Sequence, residues 1–238
     1  SRAAAKEGAT AAPRLQPGRV YQVGVAYFAP EPGIDAVMAG LREGLQALGY
    51  AEGRNLKFRM LHAQAEIAQI PAIGQALDSS DVDALLTLTT PVLQGAGMAA
   101  KHKPVVFTYV SDPIAAGAGQ SFTEHLPNLT GIGSMPPVAD LVAIARQVLP
   151  GVRTVGTLYN PSEANSVKVA AVLREQVEKA GLKLEEAPIN NTAEVVQAMQ
   201  ALVSRRVEAI LPVGDNTFYQ AFDAIAKVAK DARIPLMV

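Results

Sequence analysis

The groups able to do chemistry in this chain are hydroxyls, amides and carboxylates, because it contains no cysteine and only three histidines. Without cysteine there is no disulfide, thiolate metal site or thiol nucleophile. His62, His102 and His125 lie 40 and 23 residues apart, not at the i, i+4 spacing that puts two imidazoles on one helical face, so no metal is expected. Glu163-Ala164-Asn165-Ser166 follows a Tyr159-Asn160-Pro161 turn. Asn165 or Ser166 could cap a helix there, or offer an amide and a hydroxyl to a ligand. Asp215, in Asp215-Asn216-Thr217, could cap a helix, brace its loop or pair with a ligand cation. No histidine occurs beyond residue 125, which removes the usual base of a hydrolase from that half. Thr89-Thr90-Pro91 offers hydroxyls and backbone amides at a helix start, suited to a carboxylate or phosphate or to capping alone. Ser111-Asp112-Pro113 reads as a strand-end turn whose Asp bonds its own backbone. Gly95-x-Gly97-x-x-Ala100 spells the letters of a dinucleotide fingerprint, but the strand-to-helix turn is already made at Thr89-Thr90-Pro91. Its glycines therefore fall inside a helix, where close packing is the expectation, and no cofactor is expected.

An internal repeat defines the elements that must position these groups. Val23-Gly24 recurs as Val155-Gly156, Leu41-Arg42-Glu43 as Leu173-Arg174-Glu175, and Gly49 as Gly181, all at an offset of 132. Ala84-Leu85-Leu86 resembles Ala209-Ile210-Leu211 at an offset of 125. Each copy reads as strands alternating with helices: residues 21–27, 34–48, 55–60, 67–77, 84–88, 91–100 and 105–110, then 154–158, 166–180, 184–187, 192–203, 209–213, 217–229 and 235–238. This alternation predicts an α/β fold of two similar doubly wound parallel-sheet lobes with a ligand cleft between them. Ligands in such sheets sit beyond the carboxyl ends of the strands, in loops 29–35, 89–94, 111–113, 160–166 and 214–217. The expected organisation is a flexible leader at 1–19, an N-terminal lobe at 20–132, a crossover with a linking helix at 133–150, and a C-terminal lobe at 151–238. Copy one continues past its fourth strand to Ile132 whereas copy two stops at Val238, so the second lobe reads as incomplete. The leader reads as the remainder after signal cleavage, as an added tail or as an interdomain linker.

Composition agrees with a globular chain. Lys plus Arg number 21 against 22 Asp plus Glu, and 49% of residues are hydrophobic, which argues against disorder and gives no basic excess for nucleic acid. No window approaches the roughly 18 apolar residues of a membrane span.

The assembled motifs resemble the substrate-binding proteins of bacterial ABC transporters of the tryptophan/tyrosine type, with the type 1 periplasmic-binding-protein fold. The resemblance spans about residues 20 to 238. It rests on Gly40-Leu41-Arg42-Glu43-Gly44-Leu45, Gly49-Tyr50-Ala51-Glu52-Gly53-Arg54-Asn55, Thr90-Pro91, Pro104-Val105-Val106-Phe107, Asp112-Pro113, Asn128-Leu129-Thr130-Gly131, the 159–166 stretch and Asp215-Asn216-Thr217. It implies an extracytoplasmic, monomeric, non-enzymatic receptor that closes on an aromatic or hydrophobic amino acid and delivers it to a membrane permease. It also implies that Thr90 and Thr130 hold the ligand carboxylate, and that Asn165, Ser166, Asp215 and Asn216 face its amine and side. Thr89, Asp112, Tyr27, Phe28 and Tyr109 are further candidates, the last three with Phe107 for stacking on a ring. Asp215→Ala is then expected to weaken binding with the fold intact. The family often has a Ser two residues after the crossover Gly, where this chain has Gly133 and then Ser134. A ligand-sensing module of a signalling protein would use the same cleft without a permease.

Overall fold

The computed structural model describes residues 15–237. Residues 1–14 of the leader lie outside the described part. Arg19 pairs with Asp83, and Gln16 donates its backbone N–H to Tyr21 Oη at 3.2 Å, so the chain is tied to the first lobe before its first strand begins.

The first sheet contains β1 (Tyr21–Tyr27), β2 (Leu56–His62), β3 (Ala84–Leu88), β4 (Val105–Val110) and β5 (Leu129–Gly133). All pairings are parallel, in the order β2-β1-β3-β4-β5. Helix α1 (Pro32–Ala47) follows β1, and α2 (Ile70–Asp78) follows β2 after a short 3-10 turn. After β3, α3 (Thr90–Val92) runs into a π turn at Leu93–Gly97. The second sheet has the order β7-β6-β8, built from β6 (Thr154–Tyr159), β7 (Lys183–Pro188) and β8 (Ala209–Ile210), with Leu236 bridging in parallel to Ile210. Its helices are α4 (Val138–Val148), α5 (Ala164–Lys179), α6 (Val195–Ser204), α7 (Asn216–Gln220) and α8 (Phe222–Ala232).

Parallel strands covered on both faces need apolar runs rather than alternation. Leu85 and Leu88, and Val155 and Leu158, are accordingly fully buried. Each sheet separates two apolar clusters, one per face.

The sequence repeat has a packing cause. Gly24 in β1 leaves room for Leu77 and Val82, and Gly156 in β6 leaves room for Val207 and Ile210: a Cβ at either would come within 3.0–3.3 Å of those side chains. Gly49 and Gly181 end α1 and α5 at φ +91 and +70. The residue after each donates its N–H back to the helix, Tyr50 to Leu45 and Leu182 to Val177, the left-handed stop that glycine favours. Asp83 and Glu208 brace matching strand starts by accepting the backbone N–H of Gln22 and of Thr154, each at 2.8 Å.

Four details differ from the sequence reading. Residues 129–133 form a fifth, edge strand of the first lobe, where the sequence reading placed no strand. The helix expected at 91–100 is largely a π turn. It lies so close to α2 that a Cβ on Gly74 would stand 2.5 Å from the Ala96 backbone, while Gly95 packs on Ile70. The helix expected at 217–229 breaks at Ala221, and β8 is short because Pro212 has no N–H to donate. Finally, α4 buries Val138, Val142 and Ala145 among Val155, Val169 and Leu173, so the linking helix is built into the second lobe's core.

Candidate ligand-binding site

In each sheet the strand order reverses direction at the first strand of its lobe, between β1 and β3 in one and between β6 and β8 in the other. The loops leaving these strands diverge and open a crevice at each reversal. The two crevices face one another. Between them lies a chamber of about 70 Å³, walled in the first lobe by Glu31, Thr89, Thr90, Tyr109 and Ser111. Ser134 and Pro136 of the crossover close one side, and Asn165, Gly214, Asn216 and Tyr219 form the second lobe's wall. Five of these residues, Glu31, Tyr109, Pro136, Gly214 and Tyr219, also border an adjoining groove of about 780 Å³ lined by Leu141, Ile144 and Phe222.

Backbone geometry aims several of these side chains. Thr89 has φ +81 and ψ 157, a region that side-chain-bearing residues rarely adopt. Its counterpart at the 125 offset is Gly214, with φ +69. Tyr109 has φ +60 inside a bulge, where the β4–β5 register shifts between Phe107 and Val110. A bulge of this kind re-aims a side chain, here into the cleft. Gly33 makes room for the result: a Cβ there would stand 2.6 Å from Tyr109 Oη and 3.1 Å from Glu31 Oε1.

Three buried side-chain atoms lack a hydrogen-bond partner among the described residues: Thr87 Oγ1, Thr89 Oγ1 and Asn165 Oδ1. Thr87 lies within β3, away from the chamber. The other two belong to residues only 4% exposed that line the chamber from opposite lobes. A buried polar atom without a partner costs about 1–3 kcal/mol, which a ligand group can recover.

The chamber wall carries one carboxylate, Glu31, and no Lys or Arg. Burial, helped by the nearby Glu163 charge, raises the Glu31 pKa above its ordinary value. Burial and Glu31 push the Tyr109 phenol up to about 12, and burial with Glu31 and Asp215 raises Tyr219 too, so both phenols keep their protons as donors. The site thus offers hydroxyl donors and a half-buried anion with no cation of its own.

Behind the second lobe's wall runs a closed polar network. Asp215, fully buried, accepts from Ser166 Oγ at 2.7 Å and from the backbone N–H of Asn160 at 2.9 Å, and caps α7 through Phe218 N. Burial and Glu163 raise its pKa to about 6. Glu163, also fully buried, accepts from Asn216, Thr217, Asn165 and Asn160.

Of the residues picked from sequence, Thr89, Thr90, Tyr109, Asn165 and Asn216 meet at the chamber. The others stand elsewhere. Ser166 and Asp215 are turned inward, their bonding capacity spent on each other and on Asn160. Thr130 is exposed on edge strand β5, paired with Val106. Phe28 and Phe107 are in the first lobe's core, and Tyr27 packs against His62 at 5.3 Å. Asp112 accepts from Ile114 and Ala115 backbone N–H groups and approaches Lys168 of the second lobe at 3.5 Å. Glu31, Ser111, Ser134 and Tyr219 also line the chamber but were not picked as site residues, although loops 29–35 and 111–113 were expected at the cleft and Ser134 was noted beside the crossover. A signal existed for Glu31: the offset of 132 that pairs Gly49 with Gly181 also pairs Glu31 with Glu163.

Thr89→Gly separates strain from function. Releasing about 1–3 kcal/mol of backbone strain against a glycine entropy cost of about 0.5–1 kcal/mol leaves a net gain near 1 kcal/mol, or about 2–4 °C in Tm. Loss of the hydroxyl is expected to lower the affinity of any ligand that bonds it. Thermal denaturation checks the first part, and a lower Tm would refute the strain account.

Two doubly wound lobes facing each other across a chamber at both reversal points have the architecture of the type 1 periplasmic-binding-protein fold. The chain belongs to the ABC transporter substrate binding protein family, whose profile matches residues 22–238. It is 26% identical over 215 residues to a tyrosine-binding protein of Clostridioides difficile, an alignment that covers 90% of this chain but only 62% of that relative. Among solved structures it is similar to a Streptococcus pneumoniae domain in complex with L-Trp, at 26% identity and a TM-score of 0.86, covering 91% of this chain and 73% of that one. It is also similar to the ligand-free, open structure of a Clostridium difficile substrate binding protein with adhesive properties, at 28% identity and a TM-score of 0.63, covering 92% and 74%.

Proposed function

We propose that this protein is the extracytoplasmic solute receptor of an ABC importer, which closes its lobes on an amino acid with an aromatic or hydrophobic side chain and delivers it to a membrane permease. The observation that carries the reading is the pair of unpartnered buried atoms, Thr89 Oγ1 and Asn165 Oδ1, facing one chamber from opposite lobes. A ligand bridging them makes its full set of bonds only when the lobes are together, and this differential contact stabilises closure. In this reading the hydroxyls of Thr89, Thr90, Ser111 and Ser134 receive the carboxylate, and Glu31 receives the ammonium. The side chain lies between Tyr109 and Tyr219, towards the adjoining apolar groove.

Two further observations support a closed disposition of the lobes. The similarity is much greater to the L-Trp complex than to the ligand-free open structure, although the two sequence identities are nearly equal. Direct ties also cross the cleft: Lys168 to Asp112, and Gln220 Nε2 to the Pro30 carbonyl at 3.4 Å. The tyrosine-binding relative and the L-Trp complex support the substrate class.

A thermal-shift panel of the twenty amino acids on the full gene product tests the reading. A ligand at 100 times its Kd adds about 2.7 kcal/mol, which at this length raises Tm by roughly 5–10 °C. Shifts confined to aromatic and large apolar amino acids are expected. No shift with any amino acid would refute the assignment.

A further inference from the structure

We infer that Glu163, which does not line the chamber, sets the polarity of the second lobe's wall and so makes the site select a ligand with a free primary ammonium. The inference rests on the amino-acid reading above and assigns a positioning residue within it. Glu163 ends the loop before α5, yet its side chain turns inward and is fully buried. A carboxylate can only accept, so every group facing it must present N–H or O–H. Its Oε1 accepts from Thr217 Oγ1 at 2.9 Å, Thr217 N at 3.2 Å and Asn160 Nδ2 at 3.4 Å. Its Oε2 accepts from Asn216 N at 3.0 Å, from Asn216 Nδ2, and from Asn165 Nδ2 at 3.5 Å.

The consequence falls on Asn165 and Asn216, which do line the chamber. An amide has one donor end and one acceptor end. Asn216 Nδ2 donates to Glu163, and Asn165 Nδ2 donates to both Glu163 Oε2 and the Gly214 carbonyl, each at 3.5 Å, so the two carbonyl oxygens are left for the chamber and turning either amide over would press its oxygen against the carboxylate. Asn165 Oδ1 is accordingly buried without a partner. The opposite wall adds the Glu31 carboxylate. Three acceptors, two neutral and one anionic, match the three donors of a primary ammonium. A des-amino analogue leaves all three facing no donor.

Calorimetry on the wild type, Glu163→Gln and Asn165→Ala, with L-tyrosine and L-tryptophan against their des-amino counterparts, 3-(4-hydroxyphenyl)propionate and indole-3-propionate, tests this. The wild type is expected to prefer the amino acids by about 100-fold or more, as sites built around a buried polar group reject ligands that lack it. Glutamine offers one accepting end instead of two, and with its NH2 in the Oε2 place it faces Asn165 Nδ2 and Asn216 Nδ2, which turns an asparagine NH2 towards the chamber. Glu163→Gln should then compress the preference to about tenfold or less, chiefly through weaker amino-acid binding, and Asn165→Ala should compress it about tenfold. An unchanged preference in Glu163→Gln, or equal losses for both ligand types, would overturn the inference. Should Glu163→Gln fail to fold, Asn165→Ala decides by the same ratio. Side-chain amide NMR of the unliganded wild type gives a separate readout: slowly exchanging Nδ2 protons on Asn165 and Asn216 are expected, and solvent-like exchange would overturn the role of Glu163. If the wild type binds no amino acid, the amino-acid reading fails on its own, and the NMR result still decides whether Glu163 fixes the amides.

Discussion

Asp215→Ala lowers folding stability by about 3–4 kcal/mol, enough to depress Tm by roughly 6–15 °C, whether or not ligand is present. The substitution strips the cap from α7 and leaves Ser166, the Asn160 N–H and the Phe218 N–H without their shared acceptor in a fully buried place. The sequence reading expected this variant to lose binding with its fold intact, and the network reverses that order. Asp215 also makes stability depend on pH. Its folded pKa, about 6, lies above the ordinary 3.8 because burial and Glu163 disfavour the charge. The folded state thus holds the proton more tightly than the unfolded chain, and this contribution is complete below about pH 4 and disappears as pH rises through about 6. Asp78, held down to about 2 chiefly by Lys101, His102 and Lys103 N–H groups and the His102 ring against the opposing effect of burial, acts in the opposite sense but only below about pH 4. Urea denaturation at pH 5 and pH 7 isolates the effect. The wild type should be more stable at pH 5 relative to its own pH 7 value than Asp215→Asn is, and parallel behaviour of the two would count against it.

Glu31→Gln weakens binding of the preferred amino acid by about 30- to 100-fold, the loss of one charge-assisted bond worth about 2–3 kcal/mol. Its effect on the ligand-free protein is small, because Glu31 makes no side-chain hydrogen bond among the described residues and is only half-buried. The pH dependence carries the signature. Protonating Glu31 removes its attraction for an ammonium, so wild-type affinity falls on acidification. Because burial and Glu163 raise its pKa, the fall begins at a higher pH than an ordinary carboxylate would give. Glu31→Gln should be flat over that range. Titration calorimetry from pH 7 to pH 5 checks both points, and wild-type affinity in the variant would remove Glu31 from the site.

The fold was legible because its causes leave letters behind. Gly24 and Gly156 give room to a neighbouring valine, and Gly49 and Gly181 stop a helix at the left-handed φ that glycine favours, so the duplication survives where substitution is costly. Edge strand β5 was not legible, since Leu129-Thr130-Gly131-Ile132-Gly133 has the glycine content of a loop, and Gly131 is there only because Phe107 leaves no space for a Cβ. The loops that surround the chamber were identified from strand order, but the direction in which each polar side chain turns was not. Asn165 and Ser166 are adjacent in α5 and equally polar, yet one faces the chamber and the other Asp215. That choice is made by the network behind the wall, and no local spacing encodes it.

The cleft's two sides are unequal in firmness. On the second lobe, Asn165 and Asn216 are fixed by a carboxylate their own lobe supplies, and the wall exists before anything arrives. On the first lobe, Glu31 makes no side-chain hydrogen bond among the described residues and Thr89 sits in a strained turn. Under the proposed closure, capture has a direction: a solute that lands on the firm side is covered by the soft one, and substitutions at Glu31 or Thr89 are expected to hasten its escape.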